Sequence, residues 1–510
     1  MDFLPNLSVE TWTLLVVLVA VFFLYGSWTH GIFRKMGIPG PRPLPIVGTF
    51  HMYRNGILDF DMECFKKYGK VWGIFDGRTP ILAVMDPIIV KNILVKECYT
   101  HFTNRRKIGL TGPLGDGVSF AEDDQWKRIR TVLSPTFTSC KLKEMFPIIK
   151  NLGKTLVKNV QKKTSKDEPL DMKQMFASYI TDVIISTSFG VNVDSMNNPK
   201  DPFVINGRRL FNFSVLNPLF VTIVLFPYLI SVLEKFNFCI FPNDVLQFFT
   251  SAVKSFKEKR NKGNHENRAD FLQLMVDSQS ENIPASNDED QGYKALTDNE
   301  ITAQSLIFLL AGFENTSNTL SFLSYNLATH PDVQRKLQQE IDTLLPNKAS
   351  PTYDALMQME YLEMAINEAL RIYPTVGRIE RTCKKTVEVN GVTIPGGMVV
   401  MIPLYPLHRD PKYWSEPDVF NPDRFSKNNK DTREPYTFLP FGIGPRNCIA
   451  MRFALLSLKI GIVSLLQNFS FQVCKETPIP LELDTRGFLK IKTPIYLKLV
   501  PRTAALAEDK

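Results

Sequence analysis

Residues 440–466 read PFGIGPRNCIAMRFALLSLKIGIVSLL. The Gly/Pro-rich first half of this stretch predicts a loop, and its second half, from about Ile449, predicts an apolar helix. Cys448 then lies at a helix N-terminus, where unpaired N–H groups and the helix dipole favour a thiolate. Gly442 and Gly444 allow a tight turn that aims backbone N–H groups at the sulfur. A buried structural cysteine is the alternative, and the spacing F-x-x-G-x-R-x-C argues against it.

The composition is that of an ordinary large globular protein. The chain has 510 residues, of which 44% are hydrophobic and 22% are charged. This length suggests two or three domains, but no long Gly/Ser-rich or Pro-rich linker separates them, so we expect one large catalytic domain. The formal net charge of +8 comes without a basic run typical of nucleic-acid binding. We therefore expect no nucleic-acid partner; an acidic protein or an anionic membrane surface suits the charge.

The cysteines predict a reducing compartment. Seven are scattered along the chain, and none forms a C-x-x-C pair. An odd number without paired spacing argues against a disulfide framework. The six histidines likewise show no metal-ligand spacing. A bound metal would therefore depend on a lone cysteine.

The N-terminal region predicts a membrane anchor. From Trp12 to Trp28 the chain reads WTLLVVLVAVFFLYGSW without a charge, and as a helix it spans roughly 25 Å. Arg34 and Lys35 follow, so the positive-inside rule predicts a lumenal N-terminus and a cytosolic body. A cleaved secretory signal is the alternative, but no basic segment precedes the stretch and no A-x-A-like site follows it. We expect an anchor at 1–30, a proline-rich hinge at 31–50 and a catalytic domain at 51–510.

A second apolar stretch runs from Leu216 to Pro242. Pro227, Glu234 and Lys235 interrupt it and leave no clean run of about 20 apolar residues. We expect short helices that dip into the membrane surface, with a second spanning helix as the alternative.

The remaining pattern is mainly helical. Residues 71–86 alternate around a D-G-R turn and predict a hairpin, as do residues 387–402 around Asn390-Gly391. Elsewhere apolar residues recur at helical spacing, and the longest stretch runs from the capping residue Thr297 to about His330. The expected fold class is mainly α with small β-sheets, preceded by a single N-terminal transmembrane helix.

The loop FGIGPRNCIA resembles the haem-binding loop of the cytochrome P450 superfamily. The resemblance implies the cytochrome P450 fold for residues 51–510, with Cys448 as the axial thiolate ligand of a haem b iron. Glu368-Ala-Leu-Arg371 resembles the E-x-x-R of the family, and Pro422-Asp-Arg424-Phe425 resembles its P-x-R-F. In the family these segments form a buried Glu–Arg–Arg network, which here implies a structural triad of Glu368, Arg371 and Arg424.

Further matches imply residues that bind the haem propionates. Trp126-Lys-Arg-Ile-Arg130 resembles the W-x-x-x-R helix of the family. Arg105, Arg381 and Arg446 fall where close relatives place additional propionate partners. Arginine suits this task because its planar guanidinium binds carboxylates with two hydrogen bonds and keeps its charge. A solvated basic face is the alternative, above all for Arg105.

The long helical stretch carries Ala311-Gly-Phe-Glu314-Asn315-Thr316, which resembles the family's A/G-G-x-D/E-T-T/S over the distal face of the haem. The resemblance implies that Glu314, Asn315 and Thr316 are catalytic and deliver protons during oxygen activation. The chain departs from the pattern because Asn315 stands where a threonine is expected. An asparagine can donate and accept hydrogen bonds and could hold a water molecule. Ala450, in place of a common glycine after the ligand, is a milder departure.

Several longer stretches resemble one vertebrate subfamily, family three subfamily A, among them ECYTHFTNRRK, WKRIRTVLSPTFTS and HRDPKYW. That resemblance implies an enzyme of the endoplasmic reticulum membrane that hydroxylates steroids, drugs and other large apolar compounds. It also implies electrons from NADPH through NADPH–cytochrome P450 reductase, with cytochrome b5 as a further partner. We expect a positive docking face for the reductase that includes Lys96, Lys127, Arg128, Lys141 and Lys143.

The same resemblance implies a substrate pocket. Some of its residues could instead simply pack the core, and where relatives carry more phenylalanine this chain has Ile108 and Leu310. The candidate pocket residues are Ser119, Phe120, Phe213, Phe220, Ile307, Leu310, Ala311, Val376 and Ile379.

Two rival functions remain open from the sequence. Asn315 raises the possibility of a haem-thiolate isomerase or synthase that rearranges peroxides without a reductase. A haem sensor or carrier without turnover is the other rival. Glu314 argues against a mere binder, because a binder needs no proton source over the haem.

Overall fold

The computed structural model describes residues 8–164, 168–198, 200–211, 217–261, 270–280, 295–430 and 433–502. In these ranges, as expected, the chain is mainly helical. The α-helices are α1 (Val9–Ser27), α2 (Ile32–Lys35), α3 (Ile57–Tyr68), α4 (Pro87–Lys91), α5 (Asp123–Leu133), α6 (Ser139–Thr164), α7 (Met172–Phe189), α8 (Pro202–Phe211), α9 (Pro218–Leu225), α10 (Ile230–Lys235), α11 (Asn243–Asn261), α12 (Phe271–Ser280), α13 (Asp298–Thr329), α14 (Pro331–Leu344), α15 (Tyr353–Gln358), α16 (Glu360–Ile372), α17 (Leu404–Leu407), α18 (Lys427–Lys430) and α19 (Met451–Leu466).

The strands form small sheets that join distant parts of the chain. The largest has the order β1-β2-β7-β4, with β2 parallel to β7 and the other pairs antiparallel, so that Ile81 lies opposite Val399. Both predicted hairpins are present, one as β1–β2 and the other as β5–β6. The strands are β1 (Val71–Asp76), β2 (Thr79–Val84), β3 (Leu170–Asp171), β4 (Arg378–Thr382), β5 (Val387–Val389), β6 (Val392–Ile394), β7 (Val399–Pro403), β8 (Phe469–Val473), β9 (Leu483–Asp484), β10 (Lys490–Ile491) and β11 (Tyr496–Pro501).

Helix α13 is the central element of the larger hydrophobic core. It begins with the capping box predicted from the sequence: the Thr297 hydroxyl accepts from the Glu300 N–H, and the Glu300 carboxylate accepts from the Thr297 N–H. It ends before Pro331, whose ring disfavours helical backbone in the preceding residue. Between these ends α13 packs against α7, α16, α19 and β8. The helix is therefore a rigid support on which an active site can be built.

A buried ion-pair network fixes α16 to the segment that follows α17. Glu368 and Arg371 are fully buried and form two hydrogen bonds of 2.7 and 2.8 Å, because they lie one helical turn apart. The Arg424 Nε donates to Glu368 Oε1 at 3.2 Å, and the Asn421 N–H reaches the same oxygen at 3.0 Å. The structure thus brings the three residues of the expected structural triad together, with every charge paired.

The N-terminal helix α1 exposes its apolar side chains over nearly its whole length. It starts earlier than the predicted Trp12 and ends at Ser27, and among the described residues it is long and apolar enough to cross a membrane. Its end packs against the body, since the Arg78 guanidinium lies 3.7 Å from the Tyr25 ring centroid and the Thr29 hydroxyl donates to the Arg78 carbonyl at 2.6 Å.

The second apolar stretch forms the short helices that the sequence predicts. Helices α9 and α10, separated by a 3-10 turn at Pro227–Leu229, meet at an angle of 111°. Length and composition would allow this bent pair to count as one broken span. Large apolar side chains remain exposed around it, including Tyr228, Val232 and Phe236. Leu216, where the predicted stretch begins, lies outside the described residues.

Replacing Glu368 tests the ion-pair network. Glu368→Gln keeps the shape of the side chain but removes the charge that pairs with Arg371 and Arg424. We expect the free energy of unfolding to fall by about 3–5 kcal/mol, because a buried charge is left without its partner. Denaturant unfolding followed by circular dichroism measures it. The control is Glu360→Gln on the same helix, whose carboxylate pairs with Lys427 at the surface and is worth less than about 1 kcal/mol; equal losses would contradict the network.

Candidate active site

The loop that carries Cys448 is held by its own backbone. Helix α19 begins at Met451, slightly later than predicted, so Cys448 lies in the loop just before it. The Cys448 N–H donates to the Phe441 carbonyl at 2.8 Å. Gly442 and Gly444 have φ angles of +67° and +75°, a region that favours glycine. A Cβ on Gly444 would lie 2.0 Å from the Leu94 carbonyl oxygen, so this glycine also allows a close backbone approach.

The sulfur of Cys448 faces a space inside the protein. A water molecule could reach the residue from this space, but the surrounding protein keeps the sulfur away from bulk water. This burial raises the pKa of the Cys448 thiol. The Ala450 N–H and the charges of Arg130 and Arg105 act in the opposite direction but do not outweigh burial. The backbone N–H near the helix N-terminus therefore acts in the predicted direction, and desolvation of the charged sulfur acts more strongly against it. A cation bound to the sulfur would reverse this balance.

Four arginines meet beside this space: Arg105, Arg130, Arg381 and Arg446. Burial lowers the pKa of Arg381 and of Arg446 to about 9, and their mutual repulsion with Arg105 adds to the shift. The Nε atoms of Arg381 and Arg446 are buried without a hydrogen-bond partner. None of the four forms an ion pair with a carboxylate of the described residues. Arg381 and Arg446 thus hold uncompensated charge in the interior. Arg105 is solvent-accessible, as Cys448 is, although burial lowers its pKa.

Helix α5 positions part of the cluster. Arg130 donates to the carbonyl and the side-chain oxygen of Asn447 at 2.8 and 2.7 Å, which ties the helix to the cysteine loop. The Arg446 guanidinium stacks 4.4 Å from the centroid of the buried Trp126 ring. Arg128 pairs with Glu300 and so joins α5 to the start of α13. The cysteine loop, α5 and α13 are therefore one connected frame.

Ala311 is an exposed residue in the middle of the long helix α13. Between Ile301 and Thr329 it is the one exposed residue, although it lies in the middle of a helix surrounded by protein. Asn315 follows one turn later on the same face, and its Nδ2 donates to the Ala311 carbonyl at 2.9 Å. Thr316 is buried and lies about 140° around the helix from Ala311, so its side chain points to a different face. Of the two, only Asn315 shares the open face.

Glu314 is held by a residue that the sequence analysis missed. Its Oε1 lies 3.2 Å from the Nζ of Lys173 on α7, and it accepts from the Asn318 Nδ2 at 3.2 Å. Lys173 is distant in sequence and matches no motif, so only the packing of α7 on α13 reveals it. Asn447, the partner of Arg130, was also missed, although it adjoins Cys448.

The structure brings some of the expected pocket residues near this space. A Cβ on Gly117 would touch Ile307, which places the loop with Ser119 and Phe120 against α13. Ile379 on β4 lies 3.7 Å from the corresponding point on Gly442, beside the cysteine loop. Phe120, Phe220 and Leu310 pack half-buried on the larger core, and Val376 is half-buried before β4. Phe213 lies outside the described residues.

The residues present fit a haem. A single cysteine sulfur faces an internal space, and the described residues contain no cluster of three or more His, Cys, Asp or Glu that could hold a metal ion by themselves. The unpaired arginine donors match the two carboxylates of a haem. The exposed methyl group of Ala311 leaves room beside the middle of α13.

Comparison with known proteins agrees with this geometry. The family model described as Cytochrome P450 matches residues 38–499. The chain is 55% identical to cytochrome P450 3A12 of Canis lupus familiaris over 99% of both chains, and 54% identical to cytochrome P450 3A5 of Homo sapiens over 100% of both. It is also 54% identical to cytochrome P450 3A40 of Oryzias latipes over 98% of both. The similarity therefore extends over the whole chain.

Gly444→Ala tests the close approach in the cysteine loop. The added methyl group meets the Leu94 carbonyl and sits on backbone with positive φ, so we expect the free energy of unfolding to fall by at least about 2 kcal/mol. Gly397→Ala is the control, because its φ is +83° but nothing lies within 4 Å of its Cβ. That control carries only the backbone strain, about 1–2 kcal/mol. Thermal unfolding of both variants measures the loss of stability. A loss in Gly444→Ala that is smaller than the loss in Gly397→Ala would refute the steric constraint.

Proposed function

The chain belongs to the cytochrome P450 family and is a haem monooxygenase, and we propose that it hydroxylates large apolar substrates with electrons that a reductase delivers from NADPH. Steroids, drugs and other xenobiotics are the proposed substrate classes. The observation that carries the proposal is the arrangement of Cys448 beside four arginines that form no ion pair with a carboxylate of the described residues.

In the proposed site the protein supplies binding and orientation, and the haem supplies the oxygen chemistry. Cys448 would hold the iron, while Arg105, Trp126, Arg130, Arg381 and Arg446 would hold the propionates. The metal would compensate the cost of a buried thiolate, and the propionates would compensate the arginines. The thiolate ligand is the group that favours cleavage of the O–O bond in haem enzymes of this kind.

Proton delivery is assigned to the open face of α13. Asn315 keeps one amide hydrogen on the Ala311 carbonyl, which leaves its Oδ1 and its second N–H for a water molecule. An amide orients a water but does not readily supply a proton, so the neighbouring Glu314 is the proposed acid. Thr316 was expected to act with them; because its side chain points to another face, we assign it no proton step.

Substrates are proposed to enter from the membrane. Helix α1 is a candidate anchor, and the exposed apolar side chains of α10, such as Val232 and Phe236, lie in a segment suited to the membrane surface. Ile230 of α10 lies close to Gly109, next to the pocket candidate Ile108. An apolar compound dissolved in lipid would thus reach the pocket without crossing water. We propose the endoplasmic reticulum membrane with the catalytic domain in the cytosol.

The proposed reductase docking face is smaller than the sequence predicts. Arg128 is removed from it, because its guanidinium pairs with the buried Glu300. Lys127, Lys141 and Lys143 have acidic surface partners, Asp124, Glu144 and Asp354 respectively. Surface pairs of this kind are weak and exchange readily with the carboxylates of a protein partner. Lys96 is exposed and completes the proposed face, which cytochrome b5 could share.

Asn315 is the observation that favours a second candidate. A haem-thiolate isomerase acts on peroxides without a reductase and does not need the usual threonine. Measuring turnover with and without NADPH and the reductase separates the two functions. A haem sensor would show turnover in neither assay.

Reconstitution of the full chain with reductase tests the proposed function. We expect a carbon monoxide difference spectrum with the thiolate-ligand band and NADPH-dependent steroid hydroxylation. Cys448→Ser should lose both, since a serine hydroxyl does not provide the soft, charged sulfur ligand. Cys140→Ser is the control, because Cys140 is an exposed free cysteine on α6. Hydroxylation that persists in the Cys448→Ser variant would overturn the proposal.

Aliphatic residues are expected to set product preference in the pocket. Ile108→Phe and Leu310→Phe add bulk at positions that border the proposed substrate space. The ratio of steroid hydroxylation products should shift by roughly tenfold, the range that a few methylene groups produce in an apolar pocket. Val473→Phe, at an exposed site on β8, is the control and should leave the ratio unchanged. Unchanged ratios in both pocket variants would refute the pocket assignment.

A further inference from the structure

Lys173 and Glu314 form an ion pair between α7 and α13. The distance from Lys173 Nζ to Glu314 Oε1 is 3.2 Å, and the same Nζ donates to the Ser317 hydroxyl oxygen at 2.8 Å. The Ser317 hydroxyl in turn donates to the Phe313 carbonyl, which leaves its oxygen lone pairs for the lysine. The side chains of Lys173 and Glu314 are 25% and 20% exposed, so the pair is largely withdrawn from solvent. An ion pair in this environment orients its carboxylate more strongly than a surface pair does.

The pair lies beside the open face of α13. Glu314 is three residues from Ala311, so its side chain borders the open face, with Asn315 on the other side of Ala311. Lys173 and Asn318 both contact Oε1, and no donor among the described residues contacts Oε2. One carboxylate oxygen is therefore fixed by the protein while the other remains for a proton or a water molecule.

A neighbouring buried oxygen without a hydrogen-bond partner indicates a bound water molecule beside Glu314. The side-chain oxygen of Asn318 is buried without a hydrogen-bond partner, although its Nδ2 donates to Glu314 and lies 3.5 Å from the Leu489 carbonyl. A buried carbonyl oxygen without a donor is costly, and an ordered water molecule is its usual partner. Such a water would lie next to Glu314.

Charges around the amine make its protonation sensitive to pH near neutrality. Burial lowers the pKa of Lys173 to about 8, with a smaller lowering from the charge of Lys490 on β10. Glu314 on α13 and Asp171 at the start of α7 raise it. Below pH 8 the amine is protonated and the ion pair is present. Above pH 8 the amine is neutral, and Glu314 loses its cationic partner.

We propose that Lys173 is a positioning residue for Glu314, whose charge holds the carboxylate in the orientation that delivers protons to the open face of α13. The inference rests on the proposed function and extends it to a residue on another helix. Lys173 touches neither Ala311 nor Asn315 in this role and acts through Glu314 alone. The efficiency of coupling, defined as product formed per NADPH consumed, should then follow the protonation of one lysine.

Two substitutions in the reconstituted holoenzyme test this proposal across pH 6.5–9. In the wild type, coupling should fall as the pH passes about 8. Lys173→Met should lower coupling at pH 7 by roughly threefold to tenfold, less than the about 10²-fold loss expected for a general acid itself, and should remove the pH break. Lys173→Arg keeps its charge over the whole range, so coupling should match the wild type at pH 7 and persist above pH 8. Lys154→Met, at an exposed site on α6, is the matched control and should behave as the wild type.

A measurement independent of turnover follows the amine itself. In the holoenzyme labelled with ¹³C-lysine, the signal absent from Lys173→Arg should titrate near pH 8 and move to lower pH in Glu314→Gln, because the carboxylate that favours the charged amine is lost. Wild-type coupling and pH profile in Lys173→Met, equal impairment in both Lys173 variants, or titration of Lys173 near its ordinary pH would each overturn the proposal. Failure of the proposed function would appear differently, as a wild type without NADPH-dependent turnover.

Discussion

Positive charge gathers beside Cys448 in this protein, where no carboxylate of the described residues forms an ion pair with Arg105, Arg130, Arg381 or Arg446. Burial depresses the pKa of all four side chains, and Arg381 and Arg446 keep unpaired Nε donors. A protein rarely keeps such a cluster unless an anion completes it, since unpaired buried charge costs several kcal/mol. The Cys448 thiol faces the same space. Burial disfavours its ionised form, which therefore needs a cation. A haem would meet both requirements. Its iron is a cation for the ionised sulfur, and its two carboxylates are anions for the arginines.

The elements around this space are fixed to one another. Helix α13 is buried along most of its length, and α19 continues directly from the cysteine loop. The Arg130 bonds to Asn447, the Arg128 pair with Glu300 and the approach of Gly444 to Leu94 fix the loop against its neighbours. The fully paired network of Glu368 stabilises α16, and Arg371 also donates to the carbonyl of His408, whose Nε2 accepts from the Leu439 N–H before the cysteine loop.

Helix α13 departs from the family pattern at Asn315, where the family has a threonine, but a polar side chain is retained at this position. Asn315 places its amide on the Ala311 carbonyl, so a polar group still borders the open part of α13. The acid beside it does not stand alone, because α7 contributes Lys173 and α13 contributes Asn318 to its environment. In the proposed function, proton supply would therefore depend on how α7 packs on α13.

Local patterns in the sequence predict the apolar N-terminal helix, the capping box of α13, both hairpins, the short helices after Pro218 and the resemblance carried by residues 440–466. These features depend on residues close in the chain, where spacing translates directly into geometry. Which distant groups meet depends on the packing of the whole chain. No local signal predicts that Lys173 lies next to Glu314, that Arg130 bonds to Asn447 or that Arg128 pairs with Glu300. The sign of the Cys448 pKa shift was also decided there, because desolvation depends on everything packed around a group and the helix dipole depends on one element alone.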